Sequence, residues 1–366
     1  MMSHDDSDDV DARQALDGRL SWRPAGPGDL DAWAALIART AAVEHPVWYE
    51  RREDLAQILS SRQNPAAANT ILGFDGQGTA RAYGRLTKNT DGVKAVGFGC
   101  VDPDWQGSGV GSGVLAWLEE RTQRRFADDD GADGRVVRDH APGDASGDAS
   151  GDASGDGASR TPGRAVPRLR LHSEEVHARQ ARLFERHGYR VVRYYNEMHR
   201  PLTDPLPGYR LDGGLELADF GPALHEEVRQ AHNDAFRDHW GSEPRDEEAW
   251  GFVVNDPLAR PDLSCVVLDT ANGRVAGYQL ASHDPDIAVE RGSTEGYTDL
   301  LGVRREYRGR GVARALLAEA MRRFAAGGMD KASLDVDSEN PTGALALYTA
   351  LGYRTVNRSM AWDKEL

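Results

Sequence analysis

The chain of 366 residues contains two copies of one sequence unit, and this repeat limits its possible folds more than any other feature. Residues 101–111 align with residues 303–313 at a constant offset of 202, and in both a β-rich run passes through a glycine-containing turn into an apolar pattern of helical spacing. Upstream, Asp-Gly at 75–76 and Asn-Gly at 272–273 each predict a hairpin, at an offset of 197. The chain is therefore expected to fold as two related units, each large enough to bury its own core.

A segment of low complexity interrupts the first of these units. Residues 183–189 match residues 347–353, but there the offset has fallen to 164, so that 38 additional residues lie in the first unit. This number is close to the length of residues 127–167, which repeat the letters GDAS and contain almost nothing apolar to bury. We predict that residues 127–167 form a disordered insert, because removing them restores the alignment.

Composition also indicates where each unit begins and ends. The acidic, polar residues 1–18 are predicted to be a disordered tail, and residues 204–214, rich in Pro and Gly, are predicted to be a linker. The first copy then covers residues 19–203, and the second copy covers residues 215–366. These two names are used for the two ranges below.

Each copy has the same predicted order of elements: a strand, one or two helices, a three-stranded meander, a helix, a strand, a helix and a last strand. The predicted fold class is α/β, with two tandem folds that each have a mixed, mostly antiparallel sheet flanked by helices. In the second copy the elements are predicted near 215–219, 222–237, 246–254, 263–269, 274–283, 294–303, 310–326, 331–336, 341–351 and 353–363.

The overall composition excludes several classes of protein. No run approaches the roughly 20 apolar residues that cross a bilayer, and no secretory signal is recognisable, so a cytoplasmic protein without membrane contact is expected. Cys100 and Cys265 are the only cysteines and are far apart, which argues against a disulfide framework and a zinc site; no metal is predicted. The net charge of −15 opposes binding to nucleic acid and favours cationic partners such as amines.

The repeated turn has the features of an anion-binding site. The first N–H groups of a helix have no partner within the helix, and the helix dipole adds positive charge, so a phosphate is a natural ligand. Gly309 and Gly311 bring no side chain that would hold a phosphate away, and Arg308 and Arg310 can donate charge-assisted hydrogen bonds. The first copy keeps the glycines but has no arginine, so weaker binding is expected at Gln106, Gly107, Gly109 and Gly111. Alternatively, these glycines only allow the chain to turn into a helix.

These residues resemble the signature of the GNAT superfamily of N-acetyltransferases, Gln/Arg-x-x-Gly-x-Gly/Ala at the start of a helix. The signature appears at 106–111 and at 308–313, and the second copy adds a later block, from Asn340 to Tyr353, that is similar to the family's Asn-x-x-Ala-x-x-Leu-Tyr-x-x-x-Gly-Phe/Tyr. The resemblance implies two GNAT folds and acetyl-CoA as co-substrate, without a metal. The implied cofactor-binding residues are Leu301, Val303, Arg308, Gly309, Arg310, Gly311, Val312, Ala313 and Asn340, with Val101, Gln106, Gly107, Gly109 and Gly111 in the first copy. For Asn340, capping of the helix at 341–351 is the alternative.

The tandem arrangement is similar to that of the mycothiol synthase family, in which the C-terminal domain acetylates an amine and the N-terminal domain is catalytically silent. That family has a glutamate six residues before the valine that begins its phosphate motif, and this position is Tyr297 here. Glu295 lies two residues earlier, where other GNAT enzymes often have an acidic residue. The departure leaves both the catalytic base and the acceptor open.

The resemblance implies direct attack of a neutral amine on the thioester of acetyl-CoA in a ternary complex. An alkyl amine is mostly protonated near pH 7, so a carboxylate must accept a proton first. The period of two predicts that one face of the strand carries Glu295, Tyr297, Asp299, Leu301 and Val303, and the candidate bases are Glu295 and Asp299. Gly302 suggests a bulge or a close approach of the ligand, and a backbone N–H near Leu301 to Val303 can polarise the thioester carbonyl.

The leaving thiolate needs a proton, and Tyr348 resembles the tyrosine that supplies it in this family. The first copy has Phe184 at the matching position, and a phenyl ring has no proton to give. The alternative role for Tyr348 is packing of its helix against the sheet. This single difference is the main sequence evidence that the two copies have different roles.

The acceptor is harder to predict. Relatives shape the acceptor site with an early region of the fold, which here contains His239, Trp240, Glu243, Asp246 and Trp250, although an ordinary amphipathic helix is the alternative. The first copy has His45, Trp48 and Tyr49 in the comparable region. We expect a small primary amine as acceptor; the alternatives are a protein or peptide N-terminus, or a non-catalytic acyl-CoA sensor. A monomer is compatible with the sequence, since two fused copies can replace a dimer.

Overall fold

The computed structural model describes residues 16–89, 92–133, 166–237, 239–340 and 343–366. The strands of the first copy are β1 (Ser21–Arg23), β2 (Thr70–Phe74), β3 (Ala80–Thr87), β4 (Ala95–Val101), β5 (Arg168–Glu174) and β6 (Arg190–Pro201). Its helices are α1 (Leu30–Glu44), α2 (Arg52–Leu59), α3 (Ala66–Asn69), α4 (Val110–Asp133) and α5 (Ala178–Arg186).

The second copy repeats this order, except that it has no counterpart of α3 and has an additional helix between its third and fourth strands. Its strands are β7 (Leu215–Asp219), β8 (Cys265–Asp269), β9 (Val275–Ser282), β10 (Glu295–Val303), β11 (Lys331–Asp337) and β12 (Arg354–Glu365). Its helices are α6 (His225–Ala235), α7 (Glu247–Val254), α8 (Ile287–Arg291), α9 (Val312–Ala326) and α10 (Ala344–Ala350). The predicted elements of this copy are confirmed to within a few residues, because each has a clear apolar period between turn residues.

Both predicted hairpins are present, since β2 pairs antiparallel with β3 and β8 pairs antiparallel with β9. Residues 204–214 contain neither a helix nor a strand. Helix α4 continues to Asp133, so the start of the segment predicted as a disordered insert is helical; a helix anchored by the buried Phe126 can add further turns at little cost. The tail 1–15 and residues 134–165 lie outside the described residues.

One sheet of 12 strands joins the two copies, in the order β1-β2-β3-β4-β5-β12-β6-β11-β10-β9-β8-β7. The last strand of each copy is exchanged: β12 pairs with β5 and β6, and β6 pairs with β11. The pairs β4–β5 and β10–β11 are parallel, and the other pairs are antiparallel. The predicted class of mixed, mostly antiparallel sheet is confirmed, while the two predicted sheets are continuous with each other.

Helices cover both faces of the sheet in the second copy. Helix α9 packs on one face, where a Cβ added to Gly296 would lie 2.3 Å from the Phe324 ring. Helices α6 and α7 cover the other face, where His232 Nδ1 lies 2.6 Å from the Tyr278 hydroxyl. No helix in the described part of the chain is both long and apolar enough to cross a membrane.

A β-bulge at Asp299 changes the predicted alternation along β10. The register with β9 shifts between Thr298 and Leu300, so one additional residue enters the strand. Beyond the bulge, Leu301 and Val303 pack with α9, opposite to the face that carries Glu295 and Tyr297. The prediction that all five alternate residues share one face is therefore wrong, because a one-residue shift exchanges the two faces of a strand.

Gly302 has a different role from the one predicted. A Cβ at this position would lie 2.5 Å from the ring of Tyr278, so the close approach is made by a tyrosine on the neighbouring strand and not by a ligand. The predicted bulge is present, but at Asp299 instead.

Candidate functional site

An opening between β10 and β11 forms the centre of the candidate site. The parallel pairing of these strands ends at Thr298 and Leu334, although β10 continues to Val303 and β11 to Asp337. Along its last residues β11 remains paired with β6 on its other side. The edge of β10 that carries Leu301 and Val303 is therefore open to an extended ligand, whose amides can pair with the strand.

The turn after β10 leads into a row of unpaired amides. Gly309 and Gly311 have φ angles of 77° and 80°, a left-handed conformation that favours glycine. The first backbone hydrogen bond into α9 runs from Ala315 N–H to Gly311 O at 3.0 Å. Among the described residues, the amides from Gly309 to Arg314, which include Val312 and Ala313, make no backbone hydrogen bond before it. A Cβ at Gly309 would meet nothing within 4 Å, so there is room for a phosphate at this point.

Arginine side chains surround this turn. Arg308 donates from Nη2 to Ala235 O at 2.8 Å and from Nε to Val303 O at 3.2 Å, and neutral carbonyls leave its charge uncompensated. Arg310 Nε lies 3.1 Å from Asp212 Oδ2 of the linker. The turn therefore carries the positive charge that was predicted. Among the described residues no carboxylate is paired with Arg308, so its guanidinium can act on an anion.

Tyr348 lies on α10 with its ring mostly buried, at 8% exposure. Its ring packs edge-on against Tyr353, with centroids 6.0 Å apart, and its hydroxyl makes no hydrogen bond within the described residues. Burial raises the pKa of Tyr348 to about 12, so the hydroxyl keeps its proton near neutral pH. A free, protonated hydroxyl is suited to donating a proton.

Asn340 follows β11 on the other side of the opening. Its Nδ2 lies 3.4 Å from His239 Nε2. The N-cap of α10 is Gly343, and this helix begins only at Ala344, so the alternative that Asn340 caps the helix is wrong. The side chain instead joins the end of β11 to the loop that follows α6.

The two candidate bases have different surroundings. Glu295 is buried, its Oε2 accepts a hydrogen bond from Ser333 Oγ at 2.9 Å, and the same oxygen lies 3.1 Å from Lys331 Nζ, so its charge has a partner. Asp299 is exposed at the bulge, and its single hydrogen-bond donor among the described side chains is Ser282 Oγ at 2.9 Å. Asp299 therefore fits the role of a proton acceptor better.

Asp299 is accessible to solvent, yet protein surrounds it on most sides. The resulting loss of hydration raises the pKa of Asp299 to about 7, and the Ser282 hydrogen bond only partly opposes this. A base with a pKa near the operating pH is the most effective kind.

Further polar residues near Asp299 were missed by the sequence analysis. The Tyr297 hydroxyl donates to Asp335 Oδ2 at 2.8 Å, and burial raises the pKa of Asp335 to about 6. His199 Nε2 lies 2.7 Å from Glu197 Oε1, and both belong to β6 of the first copy. The exchange of strands brings these two residues beside the second copy, and no local pattern in the sequence signals it.

The first copy has the same backbone but different side chains at the corresponding positions. The parallel strands β4 and β5 pair only at Ala95 with Leu169 and at Val96 with Arg170, so a similar opening lies between them beyond Val96. The pairing of β3 with β4 has no register shift; Gly97 pairs with Leu86, as Thr298 pairs with Ala281, so no residue of β4 corresponds to the additional residue Asp299. The first copy therefore has neither the bulge nor its carboxylate.

The turn of the first copy has charges of both signs beside it. Gln106 Nε2 donates to Val101 O at 3.2 Å and to the carboxylate of Glu44 at 2.7 Å, and Gln106 Oε1 accepts from Arg179 Nη1 at 2.9 Å. Gly107 and Gly109 keep φ angles of 77° and 98°, and a Cβ on Gly111 would lie 3.3 Å from Leu183. Phe184 lies at the matching position of Tyr348 and packs on two rings, those of Tyr189 and Trp362.

The residues predicted to shape the acceptor site fall into two groups. Asp246 caps α7 by accepting from Ala249 N–H at 2.9 Å, and Trp250 is buried in that helix, so the alternative of an ordinary helix describes both. His239, Trp240 and Glu243 lie in the loop before α7 and contact other parts of the fold. In the first copy, His45 ends α1, Trp48 is 60% exposed, and Tyr49 contacts a neighbouring arginine.

Comparison with known proteins agrees with this geometry. Residues 225–353 match the model of the Acetyltransferase (GNAT) family. The mycothiol acetyltransferase of Thermobispora bispora is 33% identical over 202 residues, which cover 53% of this chain and 63% of that protein. That of Salinispora arenicola is 32% identical over 200 residues, with coverages of 50% and 59%. The chain thus matches less than two thirds of the length of these relatives.

Solved structures resemble nearly the whole chain. A GCN5-related N-acetyltransferase from Sphaerobacter thermophilus has a TM-score of 0.66 and 25% identity and covers 96% of both chains. A tandem GNAT protein from the clavulanic acid biosynthesis pathway has a TM-score of 0.63 and 13% identity, with coverages of 94% and 98%. The predicted tandem GNAT fold and its resemblance to mycothiol acetyltransferases are therefore confirmed.

Proposed function

We propose, from the premise that residues 225–353 form a GNAT-family acetyltransferase domain, that this chain is an acetyl-CoA-dependent N-acetyltransferase that acts on a primary amine of a small molecule. The observation that carries the proposal is the opening between β10 and β11. At one end it has the unpaired amides of the turn 309–314. Asp299, an exposed carboxylate, follows Thr298, where the pairing ends, and Tyr348 belongs to the apolar cluster that contains Val336 of β11 and packs against Leu301 of β10.

The residues of the second copy fit acetyl-CoA in three parts. The amides from Gly309 to Arg314, with Arg308 beside them, can hold the diphosphate. The open edge of β10 at Leu301 and Val303 can pair with the amides of the pantetheine arm, and Asn340 lies across from that edge. Bound acetyl-CoA would supply the activated acetyl group.

Three groups of the chain would then act on the transfer. Asp299 accepts a proton from the ammonium form of the acceptor, directly or through a water, and so gives the neutral amine. A backbone N–H on the open edge of β10, between Leu301 and Val303, polarises the thioester carbonyl. The Tyr348 hydroxyl donates its proton to the departing sulfur. Glu295 is assigned to holding Lys331 and Ser333 in place.

The same argument assigns no transfer to the first copy. Glu44 is hydrogen-bonded to Gln106 at the turn that would bind the diphosphate, β4 has neither the bulge nor its carboxylate, and Phe184 replaces the hydroxyl. We therefore propose that residues 215–366 carry the site, and that residues 19–203 support it through the shared sheet.

A thiol-release assay with acetyl-CoA and a panel of amines tests the proposal. The panel contains amino sugars, amino acids and peptides with a free N-terminus, and wild type is compared with Tyr348→Phe. We expect transfer to at least one small amine, and a loss of about 10²- to 10³-fold in kcat for Tyr348→Phe with unchanged affinity for CoA. Turnover of peptides alone would favour a peptide acetyltransferase. Saturable binding of CoA without turnover on any amine would contradict the proposal and indicate a sensor.

A further inference from the structure

The loop after α6 crosses the mouth of the opening between β10 and β11. Ala235, the last residue of α6, accepts a hydrogen bond from Arg308, which follows β10. His239 Nε2 lies 3.4 Å from Nδ2 of Asn340, which follows β11. The end of α6 and the beginning of the loop 239–246 thus contact the residues that follow β10 and β11.

The first copy contacts the other side of this loop through two arginines. Arg170 of β5 and Arg193 of β6 both place their guanidinium carbon over the Trp240 ring, at 4.1 and 4.5 Å from its centroid. A cation over the face of a tryptophan is the strongest of the common cation–π contacts. Trp240 is therefore held by two strands of the first copy, although it belongs to the second.

Both arginines are themselves fixed in place. Arg170 donates from Nε and Nη2 to both carboxylate oxygens of Asp363, at 2.7 and 2.8 Å. Arg193 Nε lies 3.6 Å from Asp337 Oδ2, and its Nη1 donates to Glu339. Because Glu339 immediately precedes Asn340, Arg193 contacts the loop and the end of β11 together.

Two more residues of the first copy contact the loop further along. Lys94 Nζ donates to Gly241 O at 2.9 Å and lies 3.0 Å from Glu243 Oε1. Asn89 Nδ2 donates to Glu243 Oε2 at 2.8 Å. The position of the loop 239–246 therefore depends on the first copy at Trp240, Gly241 and Glu243.

We propose that Arg170 and Arg193 are positioning residues for transfer in the second copy. They hold Trp240 and thereby fix the loop 239–246 at the opening, where His239 of this loop contacts Asn340. This assigns a function to the copy without a catalytic tyrosine, and it rests on the proposed function. It requires that the first copy determine binding of the acceptor, while binding of CoA at the turn 309–314 remains independent of it.

The experiment uses the full chain with Arg193→Met, Trp240→Leu and the double variant. Arg19→Met is the matched control, because Arg19 lies over the Trp105 ring, 5.2 Å from its centroid, at the turn of the first copy and has no contact with the loop 239–246. The KM and kcat for the amine of the panel with the highest turnover are measured, together with the Kd for CoA by calorimetry.

We expect Arg193→Met and Trp240→Leu each to raise the KM for the amine about tenfold, since one contact of this kind is worth a factor of about two to thirty and the loop depends on two. The double variant is expected to be less impaired than the product of the two single effects, because both substitutions remove the same contact. The Kd for CoA should not change, Arg19→Met should behave as wild type, and Arg193→Lys should recover part of the effect.

Hydrogen exchange gives a readout that does not require turnover. In Arg193→Met we expect faster exchange of the amides in 239–246 and unchanged exchange in α9. If the KM of both variants equals that of Arg19→Met, or if exchange of the loop is unchanged, the inference is wrong. An absence of turnover on every amine would instead contradict the proposed function, and the exchange measurement would still decide whether the first copy holds the loop.

Discussion

The turns after β4 and β10 have nearly the same backbone but different charged partners. Gly107 and Gly309 both have a φ angle of 77°, and in each copy the helix begins with unpaired amides. In the second copy Arg308 donates to two backbone carbonyls, whereas in the first copy Gln106 is hydrogen-bonded both to the carboxylate of Glu44 and to Arg179. The shape of an anion site is thus present in both copies, and among the described residues only the first copy has a carboxylate bonded to the residue that begins the signature.

The same contrast holds for the groups that move protons. Asp299 occupies a bulge that the first copy lacks, and Gly97 in the corresponding strand lies against leucine side chains, with Leu171 only 2.8 Å from where its Cβ would be. Tyr348 has a free hydroxyl, whereas Phe184 fills its site with a ring. A duplicated fold can therefore keep its backbone while one copy specialises in chemistry and the other in support.

The largest expected effect comes from separating the copies. Both neighbours of β12 are strands of the first copy, β5 and β6, and β11 also pairs with β6. Residues 204–366 expressed alone would expose these strand edges, so we expect an aggregated or unfolded product by circular dichroism and gel filtration. Co-expression with residues 1–203 should restore a folded, active complex. A folded and active fragment 204–366 would show that the copies are independent.

The next largest effect is expected at the bulge. Asp299→Asn should lower kcat/KM by about 10²- to 10³-fold, because the amide cannot accept the proton of the acceptor. The matched control is Glu295→Gln, which removes the partner of the half-buried Lys331 and should lower the free energy of unfolding by about 1 to 3 kcal/mol, with a much smaller effect on kcat/KM of the folded protein. The reverse pattern, in urea unfolding and in steady-state assays, would make Glu295 the base.

The pH dependence of kcat tests the same residue with a smaller effect. With a pKa raised to about 7, Asp299 becomes protonated as the pH falls below 7, so kcat at saturating amine should decrease there. Because the folded state then binds this proton more tightly than the unfolded state, Asp299 should also make the protein less stable, relative to Asp299→Asn, as the pH rises from about 4 to 7. An unchanged kcat profile in Asp299→Asn would contradict the assignment.

The smallest effect is expected from giving the first copy a hydroxyl. Phe184→Tyr should not add any transfer, because β4 lacks the bulge and its carboxylate, and a second carboxylate, Glu44, lies at the turn that would bind the diphosphate. In the background of Tyr348→Phe, the additional Phe184→Tyr should leave the residual rate unchanged in the thiol-release assay. Recovery of activity in this double variant would mean that the copies differ only at that one position.

Much of the fold could be predicted because it depends on local patterns that occur twice. The apolar stripe of α9 and the turn with Gly309 are visible in the sequence, and both lie where they were predicted. The bulge at Asp299 was not predictable in the same way, since the alternating residues of β10 continue through it and only the pairing with β9 reveals the shift.

The exchange of strands was also hidden from sequence reasoning. β6 and β12 each follow a Gly-Tyr pair, at 188–189 and 352–353, and either strand has a pattern that would suit either copy. The choice of a neighbouring strand depends on long-range contacts. This choice brings His199 Nε2 of β6 to 3.9 Å from Glu295 Oε2 of β10, and it places Arg193 over the Trp240 ring. The contacts of His199 and Arg193 with the second copy follow from this pairing.

The central claim is that the turn 309–314 holds the diphosphate of CoA and that the turn of the first copy does not. Calorimetric titration of CoA into the full chain, with Gly309→Ala compared with Gly107→Ala, tests it directly, because the two glycines share a φ angle of 77° and so incur the same backbone strain. We predict one CoA per chain, a Kd raised about tenfold or more by Gly309→Ala, and no change for Gly107→Ala. Two equal sites per chain, or a Kd that Gly309→Ala leaves unchanged, would contradict the account.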